Sequence, residues 1–260
     1  MKSTSQKGIV ILLLSVLILS CTPKMVIRQE EIKNKHNIMV VPFKPPPIAI
    51  IGWGAGTFLL GGAVGAALVD AATKEGREKA VDTLNKNSGQ WEPTRVIAQD
   101  CLDLIKKDTP FQIENIFIVE TRVMPGLENV QTKESKVFTA ESTLHAFGSP
   151  WDRAGNKMFE NSNYLQYKKE YPESSADWAL EVFSTYMGMR KMEKMEFNVF
   201  LKLVETSSGE KIALDYTFDT FTISLAKDIS DFKTFEDEFR NASRELCSKL
   251  LSKMGLISVR

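Results

Sequence analysis

Histidine is nearly absent: the 260 residues hold only His36 and His145. This scarcity removes most acid–base and metal chemistry built on imidazole. His36 opens a predicted strand and His145 sits in a polar stretch, positions that fit hydrogen-bonded or solvated side chains better than catalysts. The chain also lacks a G-x-S-x-G elbow, an H-E-x-x-H helix and a paired-cysteine motif. Net charge is missing too, with 33 basic against 33 acidic residues. The two signs alternate without forming a basic stripe, which argues against a nucleic-acid partner. The expectation is a non-enzymatic protein with no cofactor and no metal. Hydrophobic residues make up 43% of the chain, enough for an ordinary globular core.

Cysteine is scarce as well, and the first of the three, Cys21, is informative. Lys2 and Lys7 form a short positive region. From Gly8 to Ser20 every residue is apolar or small, including the run Ile9 to Leu14. That length suits a signal-peptide core and falls below the roughly 18–20 residues that span a bilayer. It ends in Ile18-Leu19-Ser20-Cys21, which resembles the lipobox of bacterial lipoproteins. The resemblance implies cleavage before Cys21, diacylglycerol on its sulfur and an acyl group on its new amine. Two or more acyl chains give stable anchoring where one gives marginal binding. Thr22, rather than an aspartate, follows the cysteine, which by the same resemblance favours the periplasmic face of the outer membrane. A plain signal peptide or an uncleaved anchor is the alternative. Without Lys2 and Lys7 the mature chain carries two more acidic than basic residues.

Residues 1–20 are therefore read as the leader, 21–36 as a lipidated tether, and 37–260 as a single domain. Cys101 and Cys247 each fall on the apolar side of a predicted helix. In an oxidising compartment they form a disulfide if those helices pack together; otherwise they are two buried thiols. With no histidine nearby they do not read as a metal site.

Asn37 to Phe43 reads as a buried strand, and Pro45-Pro46-Pro47 is expected to stop regular pairing. Residues 48–69 then carry no charge and are dense in glycine. The spacings Gly52 to Gly56 and Gly61 to Gly65 fit the small-xxx-small pattern of close helix packing. Four readings stay open: a glycine-zipper hairpin against the membrane or against other copies, a loop and helix start packed on the domain, a transmembrane helix, and a nucleotide turn. Against the last, the third glycine of G-x-G-x-x-G falls on Thr57. The segment is expected to lie within a short tether's reach of Cys21, as a second membrane contact.

Further along, Glu92 to Lys107 reads as a helix and Phe111 to Thr121 as a strand. Helices are expected near Lys133–Leu144 and Trp151–Tyr167, then a strand over Trp178–Met187. Met195, Phe197, Val199, Leu201 and Leu203 alternate with Glu196, Asn198 and Lys202, the pattern of a half-buried strand. Ser207-Ser208-Gly209-Glu210 turns the chain into a partner carrying Ile212, Leu214, Tyr216 and Phe218. A final helix bears Phe232, Phe235, Phe239, Ala242, Leu246 and Leu250 on one face. Its acids, among them Asp228, Asp231, Glu236, Asp237 and Glu238, read as the solvated side. Met187, Met189, Met192 and Met195 read as core fillers rather than a soft-metal site.

Three motifs carry a resemblance of fold. Met39-Val40-Val41-Pro42-Phe43, Ser175-Ala176-Asp177-Trp178-Ala179-Leu180 and Leu201 to Glu210 resemble the first strand, central strand and hairpin of the TolB N-terminal-like fold. The curli-secretion lipoprotein CsgG and the penicillin-binding-protein activator LpoB share that fold. The resemblance implies an α/β (α+β) domain with a mixed sheet of about four to five strands packed by helices, and a glycine-rich insert after the first strand. It also implies an adaptor or assembly role with a protein partner in the envelope or a homo-oligomer. The alternatives are a regulator of a cell-wall enzyme and a component of a secretion assembly. Residues 48–69 lack the alternating polarity of a CsgG-type barrel insertion, and the long proline-rich tether of LpoB is missing.

Overall fold

The computed structural model describes residues 26–27, 35–51, 78, 82–86, 89, 91–128, 137–140, 150–160, 167–190, 194–222 and 232–258. They form one mixed sheet of eight strands between two layers of helix, an α/β architecture as expected. The chain runs β1 (Lys35–Pro42), β2 (Ile48–Ile51), α1 (Pro93–Asp108), β3 (Gln112–Ile118), β4 (Val137–Ala140), α2 (Pro150–Glu160) and α3 (Tyr167–Glu170). It continues through β5 (Trp178–Phe183), β6 (Met187–Arg190), β7 (Lys194–Glu205), β8 (Lys211–Thr222) and α4 (Phe232–Met254).

The long hairpin organises the sheet. β7 pairs antiparallel with β8 along its whole length on one edge. Gly209 takes the positive φ of 74° that the connecting turn needs. On its other edge β7 meets β5 over one half and β6 over the other. β1 and then β3 continue outward from β5, all three parallel. β2 and then β4 continue in the same way from β6.

The sheet therefore has two halves joined by unbroken strands, and more strands than the four to five expected. Two of the extra strands arise because two extended stretches are each interrupted. Pro45-Pro46-Pro47 breaks the ladder but does not end it: pairing resumes at Ile48. Around this break Phe43 N–H donates to Val182 O at 2.9 Å, Lys44 N–H to Arg122 O at 2.8 Å, and Thr94 Oγ1 to Phe43 O at 2.5 Å. These bonds replace the missing ladder partners of a segment that proline cannot complete. A third departure is β4, where a helix was expected near Lys133–Leu144. The slot beside β2 gives Val137–Ala140 a parallel ladder, and pairing overrides local helical spacing.

α1 and α4 cover one face. Ile97, Ala98, Cys101, Leu104 and Ile105 of α1 and Phe235, Phe239, Leu246, Cys247 and Leu250 of α4 are buried at helical spacing. They pack on Ile38, Val40, Leu180, Val182, Phe197, Val199, Leu201 and Leu203. Trp91 meets Phe232, Phe235 and Phe239 edge-on at 5.5, 5.5 and 5.3 Å.

The opposite face is the main correction. A half-buried β7 implies a solvated side bearing Asn198 and Lys202. Instead α2 and α3 close over that side with Ala154, Met158, Phe159 and Tyr167, forming a second core with Met39, Val41, Phe43, Phe183 and Phe200. Asn198 and Lys202 are buried. Alternating polarity therefore marks a polar interior here, not a water-facing surface.

Candidate functional site

The expected site residues separate into three groups. Cys21, Gly52, Gly56, Gly61 and Gly65 lie outside the described residues, as do His145 and Met192. Cys101 and Cys247 are brought together: their Sγ atoms lie 2.7 Å apart, both fully buried between α1 and α4. His36, Met187, Met189 and Met195 are core residues. His36 stacks on Trp178 with ring centroids 3.5 Å apart and meets Phe111 edge-on. Among the described residues no three His, Cys, Asp or Glu side chains are grouped to hold a metal.

The helix–helix seam also holds a carboxylate. Asp100 of α1 accepts a hydrogen bond from Ser243 Oγ of α4, with both side chains buried. Burial raises the Asp100 carboxyl above its ordinary range, against the opposing pull of Ser243 and of Arg240 and Arg244. Burial likewise pushes the Cys247 thiol well up, and its contact with Cys101 adds to the effect.

The polar interior was not foreseen from the sequence. Lys202 of β7 stands directly across from Glu181 of β5, and Lys202 Nζ lies 2.7 Å from Glu181 Oε2. The same ammonium donates to Met158 O at 2.6 Å, near the end of α2. Tyr167 O–H donates to Glu181 Oε1 at 2.8 Å from α3. Burial, and then the Glu181 carboxylate, hold the Tyr167 phenol well above its ordinary range, so it remains a donor. Nearer the surface Arg122 pairs with Glu170 and lies 6.0 and 5.8 Å from the ring centres of Tyr167 and Tyr171. One signal could have found this network: Glu181 is the only charge within the apolar strand Trp178–Phe183, and a buried carboxylate needs a counter-charge.

Asn198 closes the second interruption. Its Oδ1 accepts from Ser184 Oγ at 3.0 Å, Thr185 N–H at 2.8 Å and Tyr186 N–H at 2.9 Å. Its Nδ2 donates to Thr185 Oγ1 at 2.7 Å. One side chain thus satisfies the backbone where β5 gives way to β6. Gly155 of α2 sits over the same spot, and a Cβ there would collide with Thr185. These groups hold elements in place. Lys202, Glu181 and Tyr167 are sealed from solvent and turned on one another.

Ile27 and Ile51 are set apart. Ile27 is buried in the main core, and its N–H donates to Met254 O at 3.1 Å, at the end of α4. Gly255, with φ of 81°, leaves room for Val26 beside it. Ile27 lies six positions after Cys21, a reach of about 20 Å at most. Ser258 N–H donates to Asp108 O, so α1 and α4 end together, beside the start of β3. There Gln112 is in register with Lys35, while three residues further on Ile38 is in register with Trp178 and Glu205. Ile51, by contrast, is in register with Arg190 and Lys194, at the other end of β7. The 12 residues of β7 put about 36 Å between those levels. Residues 48–51 are strand rather than the start of a membrane segment, and the chain leaves β2 at the end of the sheet away from Ile27. The expected closeness of residues 52–69 to Cys21 falls on positions outside the described residues. No described helix is long and apolar enough to cross a membrane.

No protein-family model matches the chain, and no curated protein matches it. Among solved structures it is similar to a PelC dodecamer from Paraburkholderia phytofirmans, at 8% identity and a TM-score of 0.36, over 92% of this chain and 97% of that one. A single-substitution variant of that dodecamer, in another crystal form, gives 8% and 0.37, over 90% and 95% of the two chains. Lipoprotein GNA1162 from Neisseria meningitidis gives 8% and 0.23, over 77% and 98%. Likenesses this distant do not define a shared fold.

Proposed function

We propose that this chain is a lipid-anchored protein of the bacterial envelope, held through Cys21 on the periplasmic face of the outer membrane, and that it acts as a non-enzymatic structural, assembly or adaptor protein. The observation that carries the reading joins leader to fold. A chain ending its leader at Ser20-Cys21 is captured by its own core at Ile27, so lipid and domain are held as a unit. The buried ionisable groups support a scaffold role, because Lys202 and Tyr167 are turned on Glu181 in the interior instead of facing a substrate. The glycine-rich segment, with Gly52, Gly56, Gly61 and Gly65, is the element we assign to self-association or to a protein partner. The chain leaves β2 at Ile51, at the end of the sheet away from Ile27.

A Cys21→Ala variant tests the anchor: it should lose lipid labelling and leave the membrane fraction. Continued membrane binding would sink the lipid reading and promote residues 52–69 to a membrane element. Cross-linking in intact cells tests the assembly role. Higher species that vanish on deletion of residues 52–69 are expected, and monomer alone in both chains would count against it.

A further inference from the structure

We propose that Cys101 and Cys247 are joined by a disulfide bond in the exported protein, a covalent clasp between the first long helix and the last. The geometry stands on its own, while the oxidising compartment rests on the envelope reading above. The two sulfurs lie 2.7 Å apart, roughly 0.7 Å beyond the about 2.05 Å of a disulfide and closer than unbonded sulfur atoms rest. α1 and α4 pack face to face there, with Ile97, Ile105, Leu246 and Leu250 in the same core. Pairing is unambiguous: the chain has three cysteines, and lipid on Cys21 leaves two.

The chemistry is thiol–disulfide exchange with a disulfide donor. One thiolate attacks a donor sulfur and releases the first donor thiol. The second cysteine's thiolate then attacks that mixed disulfide and releases the other. Two protein thiols are oxidised, the donor disulfide is reduced to two thiols, and the two protons go to the donor sulfurs. Timing follows from burial. Both cysteines are fully buried in the packed seam, and the Cys247 thiol is held well above its ordinary range. The donor therefore acts before α1 and α4 close, and afterwards the bond is shielded from reductants. The link joins residues 146 apart, a separation at which a cross-link restrains the unfolded chain strongly.

The test is a thiol count on lipidated protein taken from the envelope by acid quench, which halts thiol–disulfide exchange by protonating the thiols without consuming them. We expect no reactive thiol in denaturant and two after reduction. Cys101→Ser and Cys247→Ser should each show one thiol before reduction. Reduction in denaturant followed by refolding without oxidant should lower the Tm by roughly 10 °C. In parallel, the reduced, unfolded protein is refolded in detergent with glutathione disulfide. Two free thiols in both experiments would overturn the bridge. A bridge that forms on refolding but is absent from cells would uphold the pairing and overturn the export.

Discussion

The two faces of the sheet are both buried, by opposite means. Beneath α1 and α4 the contact is apolar, with Ile, Leu, Val and Phe packed at helical and strand spacing. Beneath α2 and α3 the core is interrupted by Lys202, Glu181, Tyr167 and Asn198, each meeting a named partner. An apolar face tolerates small shifts, because dispersion and the hydrophobic effect are not directional. A buried ion pair tolerates none, because a lost partner leaves a charge without solvent. The first face supplies stability. The second selects one position for two short helices that have little apolar surface of their own.

That contrast is most easily broken at Lys202. Lys202→Met should cost about 3–5 kcal/mol, since Glu181 is left buried without its counter-charge. Lys202→Met combined with Glu181→Leu should recover most of the loss, and denaturant titrations of the three chains measure it. If the double variant is as unstable as the two losses summed, the pair is not a mutual requirement.

On the apolar face Leu250→Ala should cost about 2–5 kcal/mol through the cavity it leaves. This loss should simply add to that of Lys202→Met, because the two lie on opposite sides of the sheet. A coupling above about 0.5 kcal/mol would show that the faces are not independent.

Asn198→Ala should cost about 2–3 kcal/mol by orphaning Thr185 N–H and Tyr186 N–H. Amide hydrogen exchange should accelerate at Thr185 and Tyr186 while Leu201 and Leu203 stay protected. Uniform acceleration across β7 would refute a local role.

The smallest effect concerns Asp100, the one buried carboxylate described in the helix seam. Burial raises its folded pKa above the unfolded value. The folded state therefore keeps a proton that the unfolded state has lost, and stability falls as pH rises from the unfolded pKa through the folded one. Asp100→Asn removes this dependence while keeping an acceptor for Ser243. It should gain under about 1 kcal/mol at pH 7 and nothing at pH 3. An equal change at both pH values would contradict the assignment.

Much of the fold is legible in local pattern. Ile97, Cys101, Leu104 and Ile105 announce α1, and Phe235, Phe239, Leu246 and Leu250 announce α4, because 3.6-residue spacing belongs to the chain itself. The β7–β8 hairpin follows from alternation and from Gly209 in its turn. The four residues of β4 are not legible, because so short a strand has no periodicity beyond its partner β2. The polar core is hidden for a related reason: alternation says that Asn198 and Lys202 share a face, not what covers it.

The sequence by itself determined the two amphipathic helices, the hairpin, and which residues of each strand share a side. These depend on neighbours a few residues away. Tertiary structure alone decided that both sides are covered, that Glu181 meets Lys202, that Cys101 meets Cys247 across 146 residues, and that Ile27 and Ile51 lie at opposite ends of the sheet. Each of these depends on distant segments meeting, and the energy of a buried charge or thiol is set by what it meets rather than by its place in the chain.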